Sequence, residues 1–362
     1  MPMASDLAAA VDAGIITREQ ADKIAALAEA GAIAPAMAAP AEPVSDPDEE
    51  SFHFARGFQD VFLTIGIALL LVGAGIGGTM VAGPGAGALG GAVLAFALAW
   101  HFARRRRLVL PSIALALGFA VFAGVAAAVG LGGEGWRNIL PMAGRFDGPI
   151  PVFGGGVAAG VAAAIFFALY RLPFALGLVA VAMLYVVIGS LTLILGPAVF
   201  AGIAMYALLV LGLIVFAVAM AFDLSDPKRR TLRSDYAFWL HLVAAPMIVH
   251  SIIALLVGSG RMAFSLEDSI LVIAIVVVLG FVALVIDRRA LLVAGLGYLA
   301  FAIGRLLSIA DIVGGGGVAV TLLLVGATVV VVGAGWRPIR RWVVTNLVTG
   351  GLRLRLPPAS LA

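Results

Sequence analysis

The sequence predicts an all-α polytopic transmembrane bundle of about ten spans, with both termini in the cytoplasm and a small helical hairpin before the first span. Hydrophobic residues make up 63% of the 362 residues and charged residues 12%, whereas soluble domains average about 45 to 50% and about 25%. Ten apolar stretches lie near or above the length of about 20 residues that crosses a hydrocarbon core. Their continuous apolar character excludes barrel strands and leaves helices as the structure that satisfies the backbone in lipid.

The chain divides into four regions in this interpretation: a soluble hairpin at 1–30, a flexible linker rich in Ala, Pro and acidic residues at 31–57, the bundle at 58–335 and a basic tail at 336–362. The predicted spans are Phe58–Ala82, Ala86–Ala103, Leu108–Leu131, Val152–Tyr170, Leu172–Leu195, Ala198–Phe222, Tyr236–Gly258, Ser269–Ile286, Ala290–Ile312 and Gly316–Gly335.

Within the hairpin, Thr17 and Gln20 have the spacing of a capping box for a second short helix, and Gly14 is suited to end the first. The first 30 residues lack the central apolar run of a signal peptide. We therefore expect the first span to act as an uncleaved insertion signal.

Arginines follow every even-numbered span, which predicts the orientation because short loops rich in Arg and Lys remain in the cytoplasm. The opposite connections hold only Arg137, Arg145 and Arg261. We interpret the clusters as topogenic signals; the alternatives are lipid or nucleic-acid sites, and nucleic acid is not an expected partner. Arginine greatly outnumbers lysine, which favours a bacterial inner membrane. The clusters are Arg104–Arg107, Arg171, Lys228–Arg230 with Arg233, Arg288 with Arg289, and five tail residues, Arg337, Arg340, Arg341, Arg353 and Arg355.

Aromatic residues at the span ends are interpreted as anchors at the membrane interface. The tail alternates arginines with apolar residues, as in a helix that lies on the cytoplasmic face. It is either a docking surface for anionic lipid or a protein partner, or a plain anchor. The predicted anchors are Trp100, Tyr236, Trp239, Trp336 and Trp342.

Polar residues at membrane depth are the candidate functional residues, because a charge there is costly unless it is paired or hydrated. Arg305 lies about 22 Å into the ninth span; it snorkels outward, pairs with Asp311 or Glu267, or contacts an anionic substrate. Asp311 is six positions further along the same helix and poorly aligned, so a partner on another helix is favoured. His250, beyond Pro246, is either a proton-handling residue or a hydrogen-bonded packing residue. His241 lies on a nearly opposite face of the same span, so the two histidines do not form one metal site.

No catalytic, cofactor or metal signature is present in the sequence, which contains no cysteine. Glycine clusters, including Gly156-x-x-x-Gly160, are interpreted as packing seams between helices. The alternative is that they break helices around an ion, as in some transporters.

Two segments resemble uncharacterised bacterial polytopic inner-membrane proteins of unknown function. The first is Gly14–Ala21, followed by the acidic linker and many spans. The second is Phe238–Pro246, which follows Asp223–Pro227. The resemblance covers about 35 residues in all. The resemblance implies a multi-pass inner-membrane protein and no particular activity.

Three classes of function remain open. The first is a non-enzymatic scaffold or assembly protein, with a protein partner at the hairpin or the tail. The second is a small-molecule transporter or permease, which requires a wet central cavity. The third is a lipid-modifying enzyme, for which the outer connection supplies Glu134, Arg137, Arg145 and Asp147. Scaffolding is favoured because polar residues within the spans are sparse.

Overall fold

The structure is a computed structural model. It describes residues 2–29, 58–132, 148–226, 229, 231–258, 265–309 and 317–347. These residues form helices and no β-strand, and ten of the helices are long and apolar enough to cross a membrane. The predicted all-α polytopic bundle is confirmed, and the chain is a multi-pass membrane protein.

The described residues 2–29 belong to one compact unit, and the described residues from 58 to 347 belong to another. The first contains α1 (Pro2–Asp12) and α2 (Arg18–Glu29). Gly14 turns the chain at a φ of 69°. The predicted capping box is present, since Thr17 N donates to Gln20 Oε1 at 2.8 Å and Gln20 N donates to Thr17 Oγ1 at 3.3 Å. The linker predicted at 31–57 lies outside the described residues.

The second unit contains the ten spans and one shorter helix. Each span contacts a neighbour in the chain. Helices α3 to α7 share one core, a second cluster joins α7 to α8 and α9, and two more join α9 to α10 and α11. A π-helical turn, Trp100–Arg105, extends α4. The helices are α3 (Phe58–Ala82), α4 (Pro84–Ala99), α5 (Val109–Gly130), α6 (Pro149–Tyr170), α7 (Pro173–Leu195), α8 (Pro197–Ser225), α9 (Leu232–Val257), α10 (Leu266–Ile286), α11 (Ala290–Ile309), α12 (Gly317–Ala334) and α13 (Trp336–Asn346).

Helix α9 is the central helix of this unit, because it packs against α7, α8, α10 and α11. Half of its most apolar window is buried inside the protein, compared with 6% for the peripheral α12. The helix continues through Pro246 without interruption. Its position buries His241 among these helices, whereas His250 is exposed on the helix surface beside α11.

Glycine allows α6 and α7 to approach closely. A Cβ atom added at Gly156 would lie 2.8 Å from Val186 N, and one added at Gly189 would lie 2.5 Å from Phe153 N. These are backbone atoms, which cannot move aside cheaply. The predicted packing seam is therefore present at Gly156, whereas Gly73 and Gly77 of α3 have no atom within 4 Å of an added Cβ.

The two ends of the bundle turn the chain with different residues. At the arginine-rich end, the described residues with positive φ are Arg107, Arg171, Arg229 and Asp287. At the opposite end, the described residues with positive φ are all glycines: Gly83, Gly132, Gly148, Gly196 and Gly258. Glycine adopts this backbone conformation without the steric cost that other residues have.

Candidate functional site: a buried ion-pair network at the arginine-rich end

Asp223, near the end of α8, is the centre of the first cluster, which we call the Asp223 cluster. It joins Asp223 to His241 of α9 and to Arg288, which follows α10. His241 Nε2 lies 2.9 Å from Asp223 Oδ2, and Arg288 Nε lies 3.1 Å from the same oxygen. Arg288 Nη2 pairs with Asp223 Oδ1 and lies 3.2 Å from Ser234 Oγ. The cluster therefore ties together α8, α9 and the end of α10.

These side chains are removed from solvent by the helices around them. The exposed fraction is 0% for the His241 side chain, 1% for Arg288 and 11% for Asp223. A carboxylate only accepts hydrogen bonds, so His241 Nε2 is the donor in its pair with Asp223. The ring of Phe216 packs edge-on against the imidazole, with 5.1 Å between the centroids.

Asp287 is the centre of the second cluster, which we call the Asp287 cluster. Arg229 Nη1 lies 2.9 Å from Asp287 Oδ2, and Arg229 Nη2 donates to the Asp287 carbonyl oxygen at 2.7 Å. Trp336 Nε1 donates to Asp287 Oδ1 at 2.8 Å, and Arg340 Nε lies 3.3 Å from this oxygen. The cluster fastens the α8–α9 connection and α13 to the end of α10.

Local structure positions both clusters. Asp287 has a φ of 58° and caps α10, so Asp287 and Arg288 point to different partners although they are adjacent. Asp226 Oδ2 accepts from Thr231 N at 2.8 Å and from Thr231 Oγ1 at 2.7 Å. This folds the connection before α9 and brings Arg229 back towards α10.

The two clusters contain two carboxylates, those of Asp223 and Asp287, and three guanidinium groups, those of Arg229, Arg288 and Arg340. All five side chains are at most 11% exposed. Each carboxylate is paired with a cation from another segment of the chain, so the arrangement joins helices. Among the described residues there is also no group of three metal-ligating side chains.

The site offers poor geometry for acid–base chemistry. In a hydrolytic triad the histidine nitrogen opposite the carboxylate faces a nucleophile. His241 Nδ1 is buried, and it has no hydrogen-bond partner among the residues that the structure describes.

Comparison of the chain with protein-family models, with curated proteins and with solved structures finds no match. The resemblance to uncharacterised inner-membrane proteins therefore stays a prediction, and the role of the site is judged from its geometry alone.

The four predicted intramembrane residues have different surroundings. His241 belongs to the Asp223 cluster, whereas His250 Nδ1 forms a hydrogen bond with the Tyr298 hydroxyl of α11. Arg305 is half-buried on α11, one turn from the fully buried Ala302. Asp311 lies outside the described residues, as do Glu134, Arg137, Arg145 and Asp147 of the outer connection.

The predicted interfacial anchors differ in how exposed they are. Trp100 is 48% exposed and Trp342 is 60% exposed, as expected of residues that face the membrane surface. Trp336, in contrast, is 2% exposed, and its Nε1 donates to Asp287 inside the protein. Tyr236 and Trp239 are half-buried among aromatic rings. Tyr236 contacts Phe167 and Phe222, and Trp239 contacts Phe174 and Phe238.

Sequence analysis misses most of the network, since it assigns the arginines to topology alone. A usable signal is nevertheless present. Acidic residues are scarce after Asp60, and those on the arginine-rich side all fall in two connections, which follow the sixth and the eighth predicted spans. They are Asp223, Asp226, Asp235 and Asp287. A carboxylate lowers the net positive charge of an arginine cluster, so its presence there indicates that it pairs with an arginine.

Proposed function

We propose that the chain is a non-enzymatic membrane scaffold, which holds its helices rigidly and uses its terminal segments to bind a protein partner. The observation that carries the proposal is the use of buried polar groups to join helices. Asp223, His241 and Arg288 pair with one another, and Asp287 fastens α13. A transporter would instead direct such groups into a wet cavity.

Packing near Arg305 supports the same proposal. Ala302 has no exposed surface, and it packs in a core cluster with Val249, Ile253 and Val272. The segment of α11 nearest to Arg305 is therefore closely packed against α9 and α10.

Thiol labelling in intact cells tests the packed interior, because the chain has no native cysteine. We would introduce Ala302→Cys and apply a membrane-impermeant maleimide. Glu267→Cys, at the exposed start of α10, is the matched control on the outer side. The scaffold proposal expects rapid reaction of the control and none at 302. Rapid reaction at both positions would instead support transport.

Copurification in mild detergent tests the partner. The full chain would be compared with a variant that lacks residues 2–29 and with Trp342→Ala, which alters the exposed face of α13. We expect one partner protein to copurify with the full chain in a fixed molar ratio. One of the two variants should no longer recover it. Recovery of the same proteins with an unrelated multi-pass protein would contradict a scaffold.

We also infer that the bundle lies in a bacterial inner membrane with both termini in the cytoplasm. The arginine clusters after even-numbered spans support this orientation, because positively charged short loops are retained on the cytoplasmic side. The rarity of lysine and the resemblance to bacterial inner-membrane proteins support the location.

A further inference from the structure

A hydrogen-bonded histidine and tyrosine lie at the surface of the bundle between α9 and α11, apart from the ion-pair network. We call them the His250–Tyr298 pair. His250 Nδ1 contacts the Tyr298 hydroxyl, and the His250 side chain is exposed. His250 lies about 10 Å before the end of α9 at Val257, and Tyr298 lies about 12 Å after the start of α11 at Ala290. The pair is therefore at the depth of the hydrocarbon core, away from both interfaces.

The contact leaves one hydrogen-bond donor of the pair unused. If the Tyr298 hydroxyl donates to Nδ1, the neutral imidazole of His250 keeps its proton on Nε2; if Nδ1 donates, the hydroxyl proton is left over. Neither side chain makes a second hydrogen bond within the described part of the chain. A donor without an acceptor is costly in hydrocarbon. A ligand that brings an acceptor to this depth is therefore stabilised by the pair.

The surface around the pair is apolar and partly aromatic. Pro246 is exposed one helical turn before His250, on the same face of α9. Phe301 is 43% exposed and lies about one turn beyond Tyr298 on α11. Sites for small molecules combine such apolar surfaces with a few polar groups that fix the orientation of the ligand. The pair and its surroundings thus suit a flat apolar ring that carries a hydrogen-bond acceptor.

Two other occupants of this surface fit it less well. The acyl chains of a phospholipid contain no acceptor, and its polar groups lie outside the hydrocarbon core. A helix from a second copy of the chain would need a broad surface, whereas α9 contacts α7, α8, α10 and α11. The exposed part of α9 is therefore narrow, and it suits a small molecule better than another helix.

We propose that the His250–Tyr298 pair binds a membrane-soluble quinone. One carbonyl oxygen of the quinone accepts the unused hydrogen bond, and the ring packs against Pro246 and Phe301. The isoprenoid tail lies among the acyl chains of the membrane. Binding involves no electron transfer and needs no water-filled cavity, so the site is compatible with a packed bundle and goes beyond the scaffold role.

Photo-crosslinking of the unmodified chain tests the acceptor. The purified full chain would be placed in phosphatidylcholine nanodiscs with a benzoquinone that carries an isoprenoid tail and a diazirine next to the ring. We expect crosslinks to peptides of α9 and α11 and their displacement by the unlabelled quinone. A competitor with the same tail on a methyl-substituted benzene ring should displace the probe at least about fivefold less well, because it has no acceptor. Equal displacement by the two competitors would overturn the proposal.

The double variant His250→Phe, Tyr298→Phe tests the residues, since it removes every donor of the pair. It should weaken competition by the unlabelled quinone at least about fivefold. His101→Phe with Tyr206→Phe makes the same replacements at exposed positions elsewhere and should leave the affinity unchanged. Tyr206 is a matched position, because it lies about 14 Å from the end of α8 at Pro197 and so at a similar depth.

Two results with these variants would refute the proposal. The first is an equal affinity of the double variant and its control for the quinone. The second is crosslinking between two copies of the chain that the unlabelled quinone does not displace, which would assign this surface to a second copy. The competitor experiment uses the unmodified chain, so it is decisive even where a variant is unstable.

Discussion

Asp223 is the residue on which the α8–α9–α10 contact depends most. Its carboxylate accepts from His241 and Arg288 in a region from which water is largely excluded. Removal of one member of a buried ion pair leaves the other charge without compensation, which is more damaging than removal of both. The effect of a substitution here therefore depends on which partner is left behind.

We predict that Asp223→Asn lowers the free energy of unfolding by about 3 to 5 kcal/mol, because Arg288 then stays buried without its carboxylate. Thermal unfolding of the purified protein in detergent would measure the loss. Arg233→Gln, which removes an exposed charge from the start of α9, should change stability by less than about 1 kcal/mol.

The double variant Asp223→Asn, Arg288→Met should recover part of this loss, since it removes both buried charges. If the double variant were as unstable as the sum of its two single variants, the pair would not be coupled. A small effect of Asp223→Asn alone would show that water reaches the cluster.

The sequence shows which residues within a span are polar, but it does not show which side chains they pair with. His241 is recognisable because it interrupts an apolar span. Its partner Asp223 is 18 residues earlier on another helix, and helical periodicity relates residues only along one helix. Trp336 shows the same limit, because a tryptophan that follows a span is typical of the membrane interface, and its burial depends on the tertiary position of Asp287.

Helix α13 contacts Asp287 through the Trp336 hydrogen bond and the Arg340 ion pair, and it also buries Val343 and Val344. Trp336→Phe removes the Nε1 donor to Asp287 and leaves an acceptor in a buried setting. We predict a loss of about 1 to 3 kcal/mol in the docking of α13. Hydrogen exchange of the α13 amides should accelerate accordingly.

Trp342→Phe is the control on the same helix, because Trp342 is 60% exposed. Its α13 amides should exchange at the original rate. Equal acceleration in the two variants would mean that membrane contact, and not Asp287, holds the helix.

The contact between α6 and α7 gives a second prediction for a helix pair. Gly156→Ala places a methyl group 2.8 Å from Val186 N, so the helices must separate, at a cost of about 1 to 3 kcal/mol. Gly202→Ala on α8 meets no atom within 4 Å and should be neutral or slightly stabilising, because alanine favours helix. Thermal unfolding of both variants would compare them. A neutral Gly156→Ala would mean that the two helices are packed less closely than described.

Helix positions are predictable from sequence to within a few residues, because apolarity marks the hydrocarbon layer. The predicted and observed helix ends differ where a capping hydrogen bond determines the first residue of the helix. The seventh predicted span begins at Tyr236, whereas α9 begins at Leu232 after the cap Thr231. The eighth begins at Ser269, whereas α10 begins at Leu266 because Ser265 and Asp268 form a capping box. These turns lie beyond the apolar stretch and are defined by hydrogen bonds.

The orientation of the whole bundle is open to a direct measurement. We predict that Leu131→Cys and Glu267→Cys react with an impermeant maleimide in intact cells. Arg171→Cys should react only after the membrane is permeabilised, because short arginine loops are retained in the cytoplasm. All three positions are exposed at helix ends. Reaction of Arg171→Cys alone in intact cells would reverse the assigned orientation.

At the scale of the molecule, sequence establishes the number of spans, whereas the arrangement of helices depends on contacts between residues far apart. The central position of α9 is one example, since the ten spans are similarly apolar. Its small residues Ala244 and Ala245 are fully buried or nearly so, yet alanine is common in every span. Position in the bundle therefore requires tertiary structure.

Arg107 and Arg171 have a left-handed backbone conformation. At these two positions, thermal stability and correct insertion into the membrane favour different residues. Glycine would adopt their φ values of 51° and 53° without a steric cost of about 1 to 2 kcal/mol. In the proposed orientation it would also remove a charge that retains the loop in the cytoplasm. A laboratory selection that rewards only survival of heating would favour glycine at these positions and would enrich chains inserted upside down.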